Sequence, residues 1–336
     1  MRMVLAVLAL LWVGLSPIPG TAQDTHLLIV VGLGGDPEYR ETFHGWATEL
    51  RSAALEKYGL SQDHVVYLGE RPDDAPDVIR SRSTRDNIAT VLAEMAGAAG
   101  PEDRILMVLF GHGSGQGEAA LFNLPGPDLS PGDLDLMLNN FPTQTVAVVN
   151  SASSSGPFVQ GLSGENRIVV TATKSAQERN ETQFGAFFVE ALGSEGSDLD
   201  KDGRLSLLEA FQYAQREVER YYEAANLLAT EHAQLDDDGD GIGSTELQEE
   251  ATDGWLARGF LLGSAQMARV GSVADSITDP VLIRLYEERA ALEGQISELR
   301  ALRGTMEESR YESELEELLV AMALKNREIR ENGGGG

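Results

Sequence analysis

Ile105-Leu106-Met107-Val108-Leu109-Phe110-Gly111-His112-Gly113-Ser114-Gly115 is the stretch on which the fold turns. Six apolar residues in a row, with no polar alternation, describe a strand buried on both faces, and such strands belong to parallel sheets covered by helices on either side. The run stops at Gly111. A histidine between two glycines then stands at the carboxyl end of the strand, where open α/β sheets keep their functional loops.

The same rhythm repeats outward in both directions. Upstream, His26 to Val31 is a strand, Phe43, Trp46, Ala47 and Leu50 sit at helical spacing, Val65 to Leu68 is a second strand, and Ile88, Val91, Leu92 and Met95 mark a second helix. Downstream, Ser130-Pro131-Gly132-Asp133 starts a short helix, and Thr145 to Val149 and Ile168 to Thr171 read as further strands. The strand Thr145 to Val149 runs into a second polar loop, Asn150-Ser151-Ala152-Ser153-Ser154-Ser155-Gly156. Residues 24–193 are therefore expected to form an α/β domain, a mostly parallel sheet flanked by helices.

The bulk composition sets bounds on function. A chain of 336 residues, 42% hydrophobic, has ample apolar material for a core. Arg2, the apolar run Val4 to Leu15, Pro17, Pro19 and the small residues Gly20-Thr21-Ala22 follow the pattern of an export signal over residues 1–22, which places the mature chain in the periplasm or the medium. No second long apolar stretch follows, so no membrane span is expected after the leader. With no cysteine, there is no disulfide, no thiolate metal site and no thiol nucleophile. A formal charge of −28 argues against nucleic acid or an anionic membrane as partner. Gly32-Leu33-Gly34-Gly35 after the first strand has Pro37 where a dinucleotide loop needs its third glycine, and the histidines show no zinc-like spacing.

Two acidic loops follow the domain, in residues 194–265. Asp198-Leu199-Asp200-Lys201-Asp202-Gly203-Arg204-Leu205-Ser206-Leu207-Leu208-Glu209 matches the twelve-residue EF-hand loop at every ligand position. Asp198, Asp200 and Asp202 offer carboxylates, Gly203 the turn, Arg204 its carbonyl, Ser206 the water-linked position and Glu209 two oxygens, and Leu205 occupies the slot that pairs loops. Asp236-Asp237-Asp238-Gly239-Asp240-Gly241-Ile242-Gly243-Ser244 opens in the same way, with Asp236, Asp238, Asp240 and the Ile242 carbonyl as ligands. Its twelfth position is Leu247, leaving Glu246 or Glu249 to serve in altered geometry. Calcium is the expected cofactor, and this stretch is expected to form an EF-hand-type helical module packed on the domain.

After a linker at Gly271 to Thr278, residues 279–332 carry Leu285, Leu292, Leu299 and Met306 at intervals of seven, then Leu315, Leu318, Met322 and Ile329, with a break at Gly304. An antiparallel helical hairpin is expected, packed on its own domain or acting in self-association.

Chemistry alone makes His112 a candidate base and a serine of the second loop a candidate nucleophile, with backbone amides nearby for an oxyanion. His112-Gly113-Ser114, then Asp128-Leu129-Ser130-Pro131-Gly132-Asp133-Leu134, then Ser151-Ala152-Ser153-Ser154-Ser155-Gly156 resemble, in order and spacing, the caspase/legumain group (clan CD) of cysteine peptidases. The resemblance covers roughly Thr25 to Leu192. It implies a caspase-like fold, His112 as base, Ser153 at the nucleophile position, the amides of Gly113 and Ser153 as oxyanion hole, and Arg40 and Ser151 at the substrate pocket. The chain departs from the pattern at two of these places, with serine for the catalytic cysteine at Ser153 and serine for an acidic residue at Ser151.

A serine hydroxyl needs an oriented base and a third group to fix that base, and the sequence supplies no such third group. The leading expectation is an exported calcium-binding pseudopeptidase that holds a peptide or protein segment. The alternatives are a calcium-dependent serine peptidase using Ser153 and His112, and an envelope assembly protein acting through the hairpin.

Overall fold

The apolar runs pair into one sheet because each is buried along nearly its whole length. In the computed structural model the described residues are 23–116, 119–247, 252–263, 280–301, 306 and 308–332. The leader Met1 to Ala22, the linker Gly271 to Thr278, Glu249, Gly304 and Gly333 to Gly336 lie outside them.

The described strands are β1 (Thr25–Val31), β2 (Val65–Gly69), β3 (Ser81–Arg82), β4 (Arg104–Phe110), β5 (Gly113–Gln116), β6 (Ala119–Phe122), β7 (Thr145–Asn150), β8 (Arg167–Thr171) and β9 (Gln234–Asp236). Seven of them form a sheet in the order β3-β2-β1-β4-β7-β8-β9, parallel throughout except for β9, which runs antiparallel to β8. β5 and β6 form a separate antiparallel hairpin. The strand order reverses between β1 and β4, so the carboxyl ends of β1, β4 and β7 share one rim of the sheet.

Helices cover both faces, as the unbroken apolar strands require. α1 (Pro37–Glu56) starts where the Asp36 side chain accepts from Glu38 N, and it turns Phe43, Ala47, Leu50 and Ala54 inward. With α5 (Phe184–Gly193) and α6 (Leu207–Ala224) it covers the face that carries Leu27, Ile29, Leu106, Val108, Ala147 and Val149. The opposite face, with Leu28, Val30, Ile105, Met107, Val146 and Val148, is covered by α2 (Arg85–Ala98), α3 (Pro131–Leu138) and α4 (Pro157–Leu162). α3 begins at a capping box in which Ser130 and Asp133 satisfy each other's backbone N–H.

The stretch 194–263 shares the first of these cores. Leu205, Leu207, Phe211, Leu235 and Phe260 pack in one cluster with the β1 and β4 side chains, and β9 completes the sheet edge. After α7 (Trp255–Gly259) the chain returns to the start of the acidic segment, where Leu207 N donates to Phe260 O and Leu262 N to Leu205 O. The eighth-position strand of the first acidic loop thus pairs with Phe260–Leu262, while the second loop closes on itself through a Leu235–Ser244 bridge.

α8 (Pro280–Ala301) and α9 (Glu308–Asn332) form the antiparallel hairpin, with Leu285, Ile296, Leu299, Tyr311, Met322 and Ile329 buried and Lys325 on α9 2.7 Å from Glu288 on α8. Among the described residues no helix is long and apolar enough to cross a membrane.

Candidate functional site

Parallel pairing of β4 with β7 puts Leu109 opposite Asn150, so the histidine and serine loops leave the sheet side by side. Their approach is close enough to demand glycine: a Cβ on Gly113 would lie 1.9 Å from the carbonyl oxygen of Ser153, and one on Gly115 2.5 Å from that of Ala176. The Ser153 hydroxyl spans the gap. It donates to Gly113 O at 3.2 Å and lies 3.4 Å from Gly113 N.

His112 takes no part in that contact. Its ring lies edge-on to Tyr39 and Phe43, at centroid distances of 4.7 and 5.1 Å, and it makes no hydrogen bond among the described residues. Among the described residues no carboxylate bonds to it; the nearby Tyr39 hydroxyl donates instead to Glu181 at 2.9 Å. The Ser153 hydroxyl is thus directed to a backbone carbonyl, and the His112 ring on the neighbouring loop is held by aromatic edges.

The residues assigned to a pocket are engaged elsewhere. Ser151 is 3% exposed and its hydroxyl donates to Leu109 O at 2.7 Å, inside the sheet rim. Arg40 pairs with Glu70 at 3.3 Å, and the same Glu70 oxygen accepts from Gly34 N.

The first acidic loop, Asp198 to Glu209, links α5 to α6. Its three aspartates bring one oxygen each within 4.8 Å of the others, and Lys201 and Gly203 take the positive φ that the tight turn needs. Its carboxylates are nonetheless almost fully engaged. Asp198 accepts from Asp202 N and Gly203 N, Asp200 Oδ1 from Asp202 N, and Asp202 Oδ1 from Arg204 N. Glu209, 7% exposed, accepts from Leu199 N and Asp200 N on one oxygen and from the Ser206 N–H and hydroxyl on the other, closing the capping box that starts α6. Burial, then the charges of Asp202 and Glu209, push Asp200 up to about 6 against the pull of Arg289, although half of its side chain remains exposed. Arg289, on α8, supplies the remaining contacts, 2.9 Å from Asp202 Oδ2 and 3.7 Å from Asp200 Oδ2.

The second loop hangs from the sheet edge and packs against the end of α4 and the turn after it, at Gln160, Ser163 and Gly164. Asp236, Asp238 and Asp240 also bring oxygens within 4.8 Å of one another. Asp238 accepts from Asp240 N, and Asp240 from Ile242 N. Asp236 differs from every aspartate of the first loop: it is 1% exposed, and among the described residues neither carboxylate oxygen has a hydrogen-bond partner. Burial first, then the charges of Asp253, Asp238 and Asp240, push its pKa up to about 6, with the neighbouring Ser163 hydroxyl pulling the other way. A buried carboxylate without a donor is costly unless a cation neutralises it. Hard oxygen donors around such a group are what calcium takes, so the donor set fits that ion.

Two residues at these loops escaped the sequence reading. Asp253, 6% exposed, accepts from Asp237 N and from the Ser244 hydroxyl, bracing the second loop from a position beyond its twelfth residue. Arg289 comes from 87 positions beyond Asp202. Local motif spacing holds no signal for either; an Asp-Gly pair before the apolar Trp255-Leu256 was the only cue to Asp253 as a structural acid.

No protein-family model matches the chain, and no curated protein matches it. Among solved structures it is similar to protein GSU0716 from Geobacter sulfurreducens, at 12% identity, covering 63% of this chain and 92% of that one with a TM-score of 0.44. It is also similar to drICE, a caspase, at 10% identity, covering 64% of this chain and 87% of that one with a TM-score of 0.41. At these identities the likeness concerns fold alone, and the chemistry rests on the side chains described above.

Proposed function

We propose that this chain is an exported calcium-binding protein on a caspase/legumain-like framework, whose old catalytic cleft holds a peptide or protein segment without cutting it. The observation that carries the calcium reading is Asp236, a carboxylate sealed from water with both oxygens unpartnered beside two further carboxylates. A divalent ion there would turn a buried charge that destabilises the fold into a ligand that stabilises it. Export would bring the loops to a compartment where calcium is plentiful, so modest affinity suffices.

Support for a non-cutting cleft comes from the Ser153 hydroxyl, which donates to Gly113 O, and from His112, which has no orienting acid among the described residues. The test is cleavage of a peptide library by the full chain, with calcium and with chelator, beside His112→Ala and Ser153→Ala. No cleavage in any arm, together with calcium-dependent retention of a subset of peptides, is the expected result. Calcium-dependent cleavage lost in both variants would establish the serine peptidase instead.

A further inference from the structure

Of the six carboxylate oxygens on Asp198, Asp200 and Asp202, four accept backbone N–H groups of the loop itself. The other two, Asp200 Oδ2 and Asp202 Oδ2, both face the guanidinium of Arg289. That side chain is 15% exposed and Asp202 7%, so the ion pair is largely withdrawn from water. A cation that sits over the free oxygens of an EF-hand loop stands where an incoming metal must draw its ligands. We infer that Arg289 is a tethered competitor for calcium at the first loop, and that calcium entering this loop releases the α8–α9 hairpin from it.

The inference rests on the calcium reading of the first loop and adds its regulation. Calcium would draw on the two oxygens that Arg289 holds, and its charge would cancel part of the negative field that keeps the guanidinium there, so the two cations compete for the same ligands. Coupling of this kind is reciprocal: whatever factor the docked hairpin takes from calcium affinity, bound calcium takes from hairpin docking. The second loop has no such competitor in its described contacts; neither carboxylate oxygen of its buried Asp236 accepts a hydrogen bond among the described residues. The two loops therefore divide the work, the second filling first as a structural site and the first responding to higher calcium as a switch.

The test uses the full chain and follows calcium titrations through two amide resonances. Gly203, whose N–H donates to Asp198 Oδ2, reports the first loop, and Gly241 reports the second. Arg289→Ala is expected to tighten the Gly203 curve at least tenfold and to leave the Gly241 curve in place. Because the chain has no cysteine, Leu136→Cys and Leu324→Cys give a clean label pair between α3 and α9 at exposed positions. The label distance is expected to broaden as Gly203 saturates, and to be broad without calcium in Arg289→Ala.

A Gly203 curve equal or weaker in Arg289→Ala, or an unchanged label distance at saturation, overturns the competition while leaving calcium binding intact. A Gly203 resonance that responds in neither chain overturns both the competition and the calcium reading of this loop, and the Gly241 curve then reports independently on the second.

Discussion

The two acidic loops invert each other. The first has every ligand position of an EF-hand filled, yet its own backbone amides and Arg289 already meet the needs of its carboxylates. The second lacks the twelfth-position glutamate, yet holds the one aspartate of the two trios that is buried with nothing on either oxygen. Ligand count measures what a loop can offer, whereas an unmet buried charge measures what it requires. For a cation the second quantity is the larger driving force, because the ion removes a desolvation cost as well as adding bonds.

The largest expected effect is therefore a change of sign at Asp236. With free calcium at a hundred times the Kd of the second loop, that one site adds about 2.7 kcal/mol to the stability of the wild-type chain. Asp236→Asn should lose that gain. In chelator the same variant should be the more stable chain, by on the order of 1 kcal/mol, because an uncompensated buried charge is gone. Thermal or denaturant melts under both conditions check this, and a variant destabilised equally in both would place Asp236 among ordinary structural acids.

Glu209→Gln should behave in the opposite way. Its carboxylate holds four donors and caps α6, so in chelator the loss is expected at about 1–2 kcal/mol, visible in the same melts. Glu246→Gln should do little. The side chain is exposed, and a stability change within about 0.5 kcal/mol with an unaltered second-loop calcium curve is expected. A weakened curve would instead restore Glu246 as a displaced distal ligand.

His26 supplies a reference for a buried ionisable group that does have partners. Burial pushes the His26 pKa below 6.5, helped by His64 and opposed by its hydrogen bond to Asp103. The unfolded chain then binds the proton more readily than the folded one, so stability is full above the ordinary imidazole range and falls as pH drops through it. In chelator His26→Gln should flatten that slope, an effect under about 1 kcal/mol. A slope that survives in the variant would assign the pH response to other groups.

Much of this fold was legible because burial on both faces leaves an unmistakable trace. Leu27 to Val31, Ile105 to Phe110, Val146 to Val149 and Ile168 to Val170 could be read as strands from composition alone, and each is buried. β9 was not legible. Its Gln234-Leu235-Asp236 is short and polar, and it becomes a strand only because β8 offers a free edge. The β5–β6 hairpin was hidden for a related reason: Gly113 to Gln116 carries little side chain, and its conformation follows from the contact with Ser153.

At the candidate sites the sequence supplied positions but not states. It placed His112 and Ser153 on neighbouring loops. It could not say that the serine hydroxyl donates to Gly113 O, because the direction of a hydroxyl is decided by packing. It ranked the first acidic loop above the second by motif, and burial of Asp236 and long-range placement of Arg289 reverse that order of need.

The most direct test of the account is anomalous diffraction from crystals of the full chain grown at a calcium concentration just sufficient to raise its melting temperature. The expected result is a peak among Asp236, Asp238 and Asp240, with Arg289 still seated on Asp200 and Asp202. A peak only in the first loop, or no peak beside Asp236, would contradict it.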